Sequence, residues 1–169
     1  MTTLYLVRHG ETVDNALMVM QGQTQGDLND EGRQQVEHLS RQLADVQFDA
    51  VIASDLRRAV QTAQILALPH GLQVETTPLL RERDWGDFTG RFIPDLKNEP
   101  WPANVESLEE LMLRASQFIS LIRSCYAGQC VVAVGHGIIN KAVQAVFYGK
   151  KMHEIEKMKN AEVRILGIE

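Results

Sequence analysis

Two histidines each stand beside glycine where an apolar run stops: Leu6-Val7-Arg8-His9-Gly10 and, after Val131–Val134, Gly135-His136-Gly137. Arginines recur at similar places, as Arg8 in the first motif and as Arg57-Arg58 shortly after Ala50–Ala53. Glu82 follows Leu80-Arg81 beyond a weaker apolar stretch. Phosphoryl transfer uses such a set. The transferred group spreads negative charge over three oxygens, so a site needs several fixed donors. Arginine forks supply permanent charge in a planar geometry. One neutral imidazole can attack phosphorus and form a covalent phosphohistidine. Glu82 is the candidate general acid for the leaving alkoxide. Gly10 and Gly137, which flank the histidines, are expected to let backbone approach the ligand closely. Each residue taken singly has a plainer reading as a structural histidine, a solvated arginine or a surface acid. Their recurrence after strand after strand favours the chemical one.

The elements that would hold these residues are readable. Leu4–Val7, Ala50–Ala53 and Val131–Val134 are apolar throughout rather than alternating, as in strands of a sheet covered on both faces. Residues 72–76 and 162–168 are weaker strand candidates. Between them lie helical patterns. Asn29 can cap a helix reaching about Ala44, with Val36, Leu39 and Leu43 inward. Residues 56–67 put Leu56, Ala59, Ala63 and Leu66 on one stripe. Ser107 and Glu110 form a capping box, opening a helix with Leu108, Leu111, Ala115, Phe118, Ile119 and Ile122 inward. Residues 138–148 are nearly all apolar and end at Gly149. Strands alternating with helices predict an α/β fold of three layers, αβα, around a mainly parallel sheet. Ligands of open α/β sheets sit beyond the carboxyl ends of the strands, where both histidines, the arginines and Glu82 all fall.

The 169 residues suit one domain spanning 1–169, with 83–106 as a substrate-pocket loop. That loop breaks the pattern and carries Trp85, Phe88, Trp101 and three prolines. A net charge of −5 gives no positive field for nucleic acid or acidic membranes. No apolar run is long enough to span a bilayer, and Met1 leads within three residues into the first strand, leaving no room for a signal peptide. The expected location is cytoplasmic. Cys125 and Cys130 are too few for a disulfide framework and lack neighbours for zinc, so both are expected to be reduced, structural, buried thiols.

The motifs resemble those of the histidine phosphatase superfamily, which includes phosphoglycerate mutases, broad-specificity phosphatases and alpha-ribazole phosphatase. Leu6-Val7-Arg8-His9-Gly10-Glu11-Thr12 with Asn15 resembles its entry motif. Ser54-Asp55-Leu56-Arg57-Arg58-Ala59 with Gln61-Thr62-Ala63 resembles its second arginine motif, in which the arginine before alanine, here Arg58, carries phosphate. Leu80-Arg81-Glu82 followed by Trp85-Gly86-Asp87-Phe88-Thr89-Gly90 resembles its acid-bearing segment, Glu106-Ser107-Leu108 its next helix start, and Gly135-His136-Gly137 its second histidine motif. The resemblance spans nearly the whole chain in order. It implies His9 as nucleophile, Arg8, Arg58 and His136 on the phosphoryl group, and Glu82 as proton donor. It implies Asn15, Gln21, Gly22 and Gly137 around the substrate, and neither metal nor cofactor. The sequence departs at Gln23–Asn29 and at Asn104-Val105, which bear on substrate preference rather than on chemistry.

The expected activity is a metal-independent phosphomonoester hydrolase acting on a small phosphorylated metabolite. The rivals are a phosphoglycerate mutase, a protein phosphohistidine phosphatase and an inactive phosphate-binding regulator. A mutase must shield its phosphoenzyme from water, and a chain ending just after its last strand candidate is expected to leave the pocket open. A regulator would need the cations but not Glu82. Monomer and homodimer stay equally open.

Overall fold

A computed structural model describes residues 1–169. Its centre is a five-stranded sheet in the order β3-β2-β4-β1-β5. The strands are β1 (Thr2–Arg8), β2 (Ala50–Ser54), β3 (Val74–Thr77), β4 (Cys130–Gly135) and β5 (Val163–Ile168). Four run parallel, and β5 pairs antiparallel with β1 at one edge. The three apolar runs are the three inner strands. Alternate residues feed opposite cores, as the two-residue period of a strand requires. Leu4, Leu6, Ile52, Val131 and Ala133 pack on one face. Val7, Val51, Ala53, Val132 and Val134 pack on the other.

Short α1 (Val13–Ala16) follows the first strand. The longer helices α2 (Asp30–Gln42) and α3 (Arg57–Ala67) cover one face, and α4 (Leu108–Cys125) and α5 (Gly137–Tyr148) the other. This is the expected three-layer αβα arrangement. The caps follow the sequence. The Asn29 side chain accepts from Gly32 N–H, Ser107 and Glu110 form their box, and Gly149 closes α5 in the left-handed region at φ 65°. Such reciprocal caps satisfy N–H groups that the first helical turn leaves free. The weaker strand candidates were the less well bounded. β3 begins at Val74 rather than 72, and its middle two residues are exposed, as befits an edge strand.

Two expectations fail. Leu108 is half exposed, because it is the first residue of α4 and precedes the turn at which the helix meets the core; Leu111, Ala115, Phe118, Ile119 and Ile122 are buried as expected. Cys125 is exposed at the end of α4 and Cys130 only half buried, so neither thiol is a core residue. No helix is long and apolar enough to cross a membrane.

Candidate active site

The carboxyl ends of β1, β2 and β4 bring the motif residues together. Arg8, His9, Asn15, Gln21, Gly22, Arg58, Glu82 and Gly137 all line one cavity of about 220 Å³. His136 lies behind that surface, fully buried, its ring edge-on to His9 with centroids 5.0 Å apart. Val19, Met20, Trp85, Ile93, Ile138 and Lys157 complete the lining.

His9 is built to be a free base. It is 2% exposed, and its Nδ1 lies 2.7 Å from the carbonyl oxygen of Gly10. A carbonyl only accepts, so Nδ1 carries the proton and Nε2 keeps its lone pair. Burial first, then the Arg58 charge, lower its pKa from 6.5 to about 3. The Asn160 side chain donates to the His9 carbonyl and fixes the backbone there.

The two arginines are held by backbone rather than by carboxylates. Arg8 donates through one terminal nitrogen to the Met158 carbonyl at 2.7 Å. Arg58, 1% exposed, donates to the carbonyls of Gly22, Thr24 and Gln25, which clamps the 21–26 turn onto α3. Burial pulls the Arg58 guanidinium down to about 10, still a full cation at neutral pH. Neutral carbonyls fix both forks without cancelling their charge. Arg57 instead points outward to Asp27 at 3.4 Å. Three buried nitrogens of the site find no partner in the protein: Arg8 Nε, Arg58 Nε and His136 Nδ1. Buried polar groups are nearly always paired, and unpaired ones ask for a ligand. Asn15 adds an amide: its oxygen accepts from Thr12 N–H and Asn160, leaving its NH₂ without a protein acceptor.

Glu82 sits at the start of α5. Its carboxylate oxygens accept N–H groups from Ile138 at 3.1 Å, Ile139 at 3.0 Å and Arg83 at 2.9 Å. The carboxyl thus occupies the helix N-terminus itself. Arg114 pins the segment from behind, binding Glu106 and the carbonyls of Leu79, Arg81 and Glu82.

The flanking glycines divide. A Cβ at Gly137 would make only an ordinary contact, at 3.4 Å, with the Arg8 guanidinium, and Gly137 itself lines the cavity. Gly10 serves another purpose than ligand approach. A Cβ there would lie 2.6 Å from the Gly32 carbonyl and 2.8 Å from Val36, so it lets α2 dock against the first loop. Lys157, Asn160, Arg114 and the Met158 carbonyl were not foreseen. No cluster of three or more His, Cys, Asp or Glu is placed to hold a metal ion.

The chain as a whole is similar to known proteins. The family model described as histidine phosphatase superfamily (branch 1) matches residues 4–169. The phosphoglycerate mutase-like protein 4 of Arabidopsis thaliana is 32% identical, the match covering 98% of this chain and 79% of that protein. The phosphatase PhoE of Bacillus subtilis is 33% identical over 81% of this chain and 72% of its own. Among solved structures, Bacillus stearothermophilus YhfR superposes with a TM-score of 0.93 at 28% identity, covering 100% of this chain and 92% of its own. A mycobacterial glucosyl-3-phosphoglycerate phosphatase complexed with VO₃ gives a TM-score of 0.86 at 28% identity, covering 98% and 92%.

Proposed function

The chain belongs to the histidine phosphatase superfamily, and from that premise we propose that it hydrolyses small phosphomonoesters through a phosphohistidine on His9. One observation carries the reading: the free Nε2 lone pair of His9 borders a cavity whose neighbouring buried donors, Arg8 Nε and Arg58 Nε, lack partners. A phosphoryl group would satisfy both.

In the first step Nε2 attacks phosphorus, and the bond to the leaving oxygen breaks. Glu82, also lining the cavity, gives that oxygen a proton. In the second step water attacks the phosphohistidine, Glu82 takes a proton from it, and phosphate leaves with His9 regenerated. The arginines neutralise the equatorial oxygens in both steps, which is the main catalytic demand of phosphoryl transfer. No step calls on a metal. Asn15, Gln21, Gly22 and Gly137 border the substrate. The leaving group faces Val19, Met20, Trp85, Ile93 and Ile138, with Lys157 the extra cation. Trp85 and Ile93 come from the 83–106 loop, which serves as a pocket loop of the 1–169 domain. The vanadate-bound phosphatase with which this chain superposes supports a phosphoryl site here.

The test is rapid acid or base quench with a labelled phosphomonoester in excess chelator. An acid-labile, base-stable adduct mapping to His9 is expected. An adduct on serine, cysteine or another histidine, or turnover abolished by the chelator and restored by metal, would refute the proposal.

A further inference from the structure

The hydrogen bonds around His136 admit one economical proton arrangement. His136 Nε2 lies 2.9 Å from the hydroxyl of Ser54, the last residue of β2. Ser54 Oγ also accepts the Leu56 N–H at 3.2 Å. Both residues are 0% exposed. A hydroxyl has one proton to give and two lone pairs.

Suppose Nε2 carried the proton. Ser54 would then accept two N–H groups, its own proton would have no acceptor, and Nδ1 would be a bare buried acceptor with no donor. Each unmade bond at a fully buried group carries a desolvation cost. With the proton on Nδ1, Ser54 donates to Nε2 and accepts from Leu56. Only the Nδ1–H then lacks a partner, and a phosphoryl oxygen held beside His9 is the acceptor it would meet.

We propose that Ser54 is a positioning residue that fixes His136 as its Nδ1–H tautomer, so that a neutral imidazole rather than an imidazolium donates to the transferred phosphoryl group. The inference rests on the phosphohistidine reading for the identity of the acceptor, but not for the tautomer. The surroundings agree. His136 is packed against His9 and lies in the field of Arg58, Arg8 and Arg114, and burial with these charges holds its pKa well below 6.5. Protonating Nε2 would also force the Ser54 proton away from its only acceptor. Two permanent cations and one neutral donor then face the dianion.

The experiment is a long-range ¹H–¹⁵N correlation spectrum of the labelled full-length protein near neutral pH, with and without orthovanadate. His136 is assigned by its loss in His136→Asn. A protonated-type shift at Nδ1 and a bare-nitrogen shift at Nε2 are expected in both states. A protonated Nε2, or both nitrogens protonated, would overturn the proposal even if Ser54→Ala fails to fold. In Ser54→Ala the two tautomers should mix, and kcat should fall about 10- to 100-fold, the range typical for losing a partner that orients a metal-bound histidine. Ser54→Thr, which keeps the hydroxyl, should restore both. An equal loss of kcat from Ser54→Ala in the wild-type and His136→Asn backgrounds would also overturn it. An Nδ1–H spectrum with no adduct on His9 would uphold the tautomer and refute the phosphohistidine reading.

Discussion

The Nδ1 of His9 lies 2.7 Å from the carbonyl oxygen of the next residue, Gly10, and this contact decides which ring nitrogen is the base. The donor nitrogen cannot attack without breaking the bond, so the phosphoryl group should appear on Nε2. Mass spectrometry with ³¹P NMR of the base-quenched enzyme distinguishes the two isomers. Adduct on Nδ1 would mean that the ring turns over before reacting, and that the Gly10 contact does not hold the tautomer.

Arg57 and Arg58 are neighbours in sequence with opposite surroundings. Arg58 is buried with Nε unpaired, whereas Arg57 is exposed and paired with Asp27 at 3.4 Å. Losing a donor to developing charge typically costs about 3–4 kcal/mol, so Arg58→Ala should cut kcat roughly 10²- to 10³-fold. Arg57→Ala should stay within about twofold, since exposed pairs contribute little. Arg58→Lys should not recover activity, because one ammonium cannot hold three carbonyls and still point a donor into the cavity. Steady-state kinetics on the three variants decides. A dominant Arg57 would reassign the motif by one residue.

The fold and the motif residues were legible for the same reason. An inner parallel strand is one apolar run, so its end stands out, and anything polar immediately after it is conspicuous. Arg8, His9 and His136 are all found that way. What stayed hidden is held by contacts distant in sequence. Met158 and Asn160 sit in a stretch with no helical or strand period, yet they fix Arg8 and the His9 backbone at the end of β1. Arg114 lies on a helix where an arginine ordinarily reads as solvated, yet it holds three carbonyls of the Glu82 segment. Gly10 misled because glycine beside a catalytic residue suggests ligand approach, while its lack of a side chain serves α2 packing.

Two buried neutral histidines make stability depend on pH. His9 is lowered from 6.5 to about 3 and His136 is also lowered. The unfolded chain therefore takes up these protons first as pH falls. Stability is fully present above about 6.5 and is lost progressively below it, down toward the folded values. Each proton contributes a slope of up to about 1.4 kcal/mol per pH unit. Urea midpoints measured from pH 7 to 5 should fall, and His9→Asn should reduce the slope by about one proton. The depressed carboxyls of Asp55, Glu106 and Glu162 act at lower pH, so this window isolates the histidines. A flat midpoint across it would show that these imidazoles take up protons in the fold as readily as in the unfolded chain.

Glu82 borders the cavity while its two oxygens accept three backbone N–H groups. As proton donor it should matter in proportion to the basicity of the leaving oxygen, and general acid catalysis is typically worth about 10²- to 10⁴-fold. Glu82→Gln should therefore cripple single-turnover phosphorylation by alkyl phosphates and spare p-nitrophenyl phosphate, whose phenolate leaves unaided. Equal losses on both esters would move the acid elsewhere. The amide also presents an NH₂ to N–H donors at the start of α5, so a modest fall in melting temperature should accompany the kinetic change.

The remaining choice is between hydrolysis and mutation, and charge around the cavity bears on it. A phosphoglycerate mutase must hold a bisphosphorylated acid without releasing it. The charged side chains lining this cavity are Arg8, Arg58, Lys157 and Glu82. The transferred dianion occupies the two arginines. A carboxylate and a second phosphate would then find one further cation, Lys157, and the Asn15 amide, beside the apolar Val19, Met20, Trp85, Ile93 and Ile138. Bringing unpaired anions against such a wall is strongly unfavourable. With 3-phosphoglycerate the enzyme should release inorganic phosphate or leave the substrate unchanged. It should not equilibrate 2- and 3-phosphoglycerate, even with 2,3-bisphosphoglycerate supplied. The assay follows both isomers and free phosphate in one reaction. Isomer exchange outpacing phosphate release would overturn this reading. It would require further cations to reach the phosphohistidine and water to be excluded from it, by closure of the 83–106 loop or by a second chain.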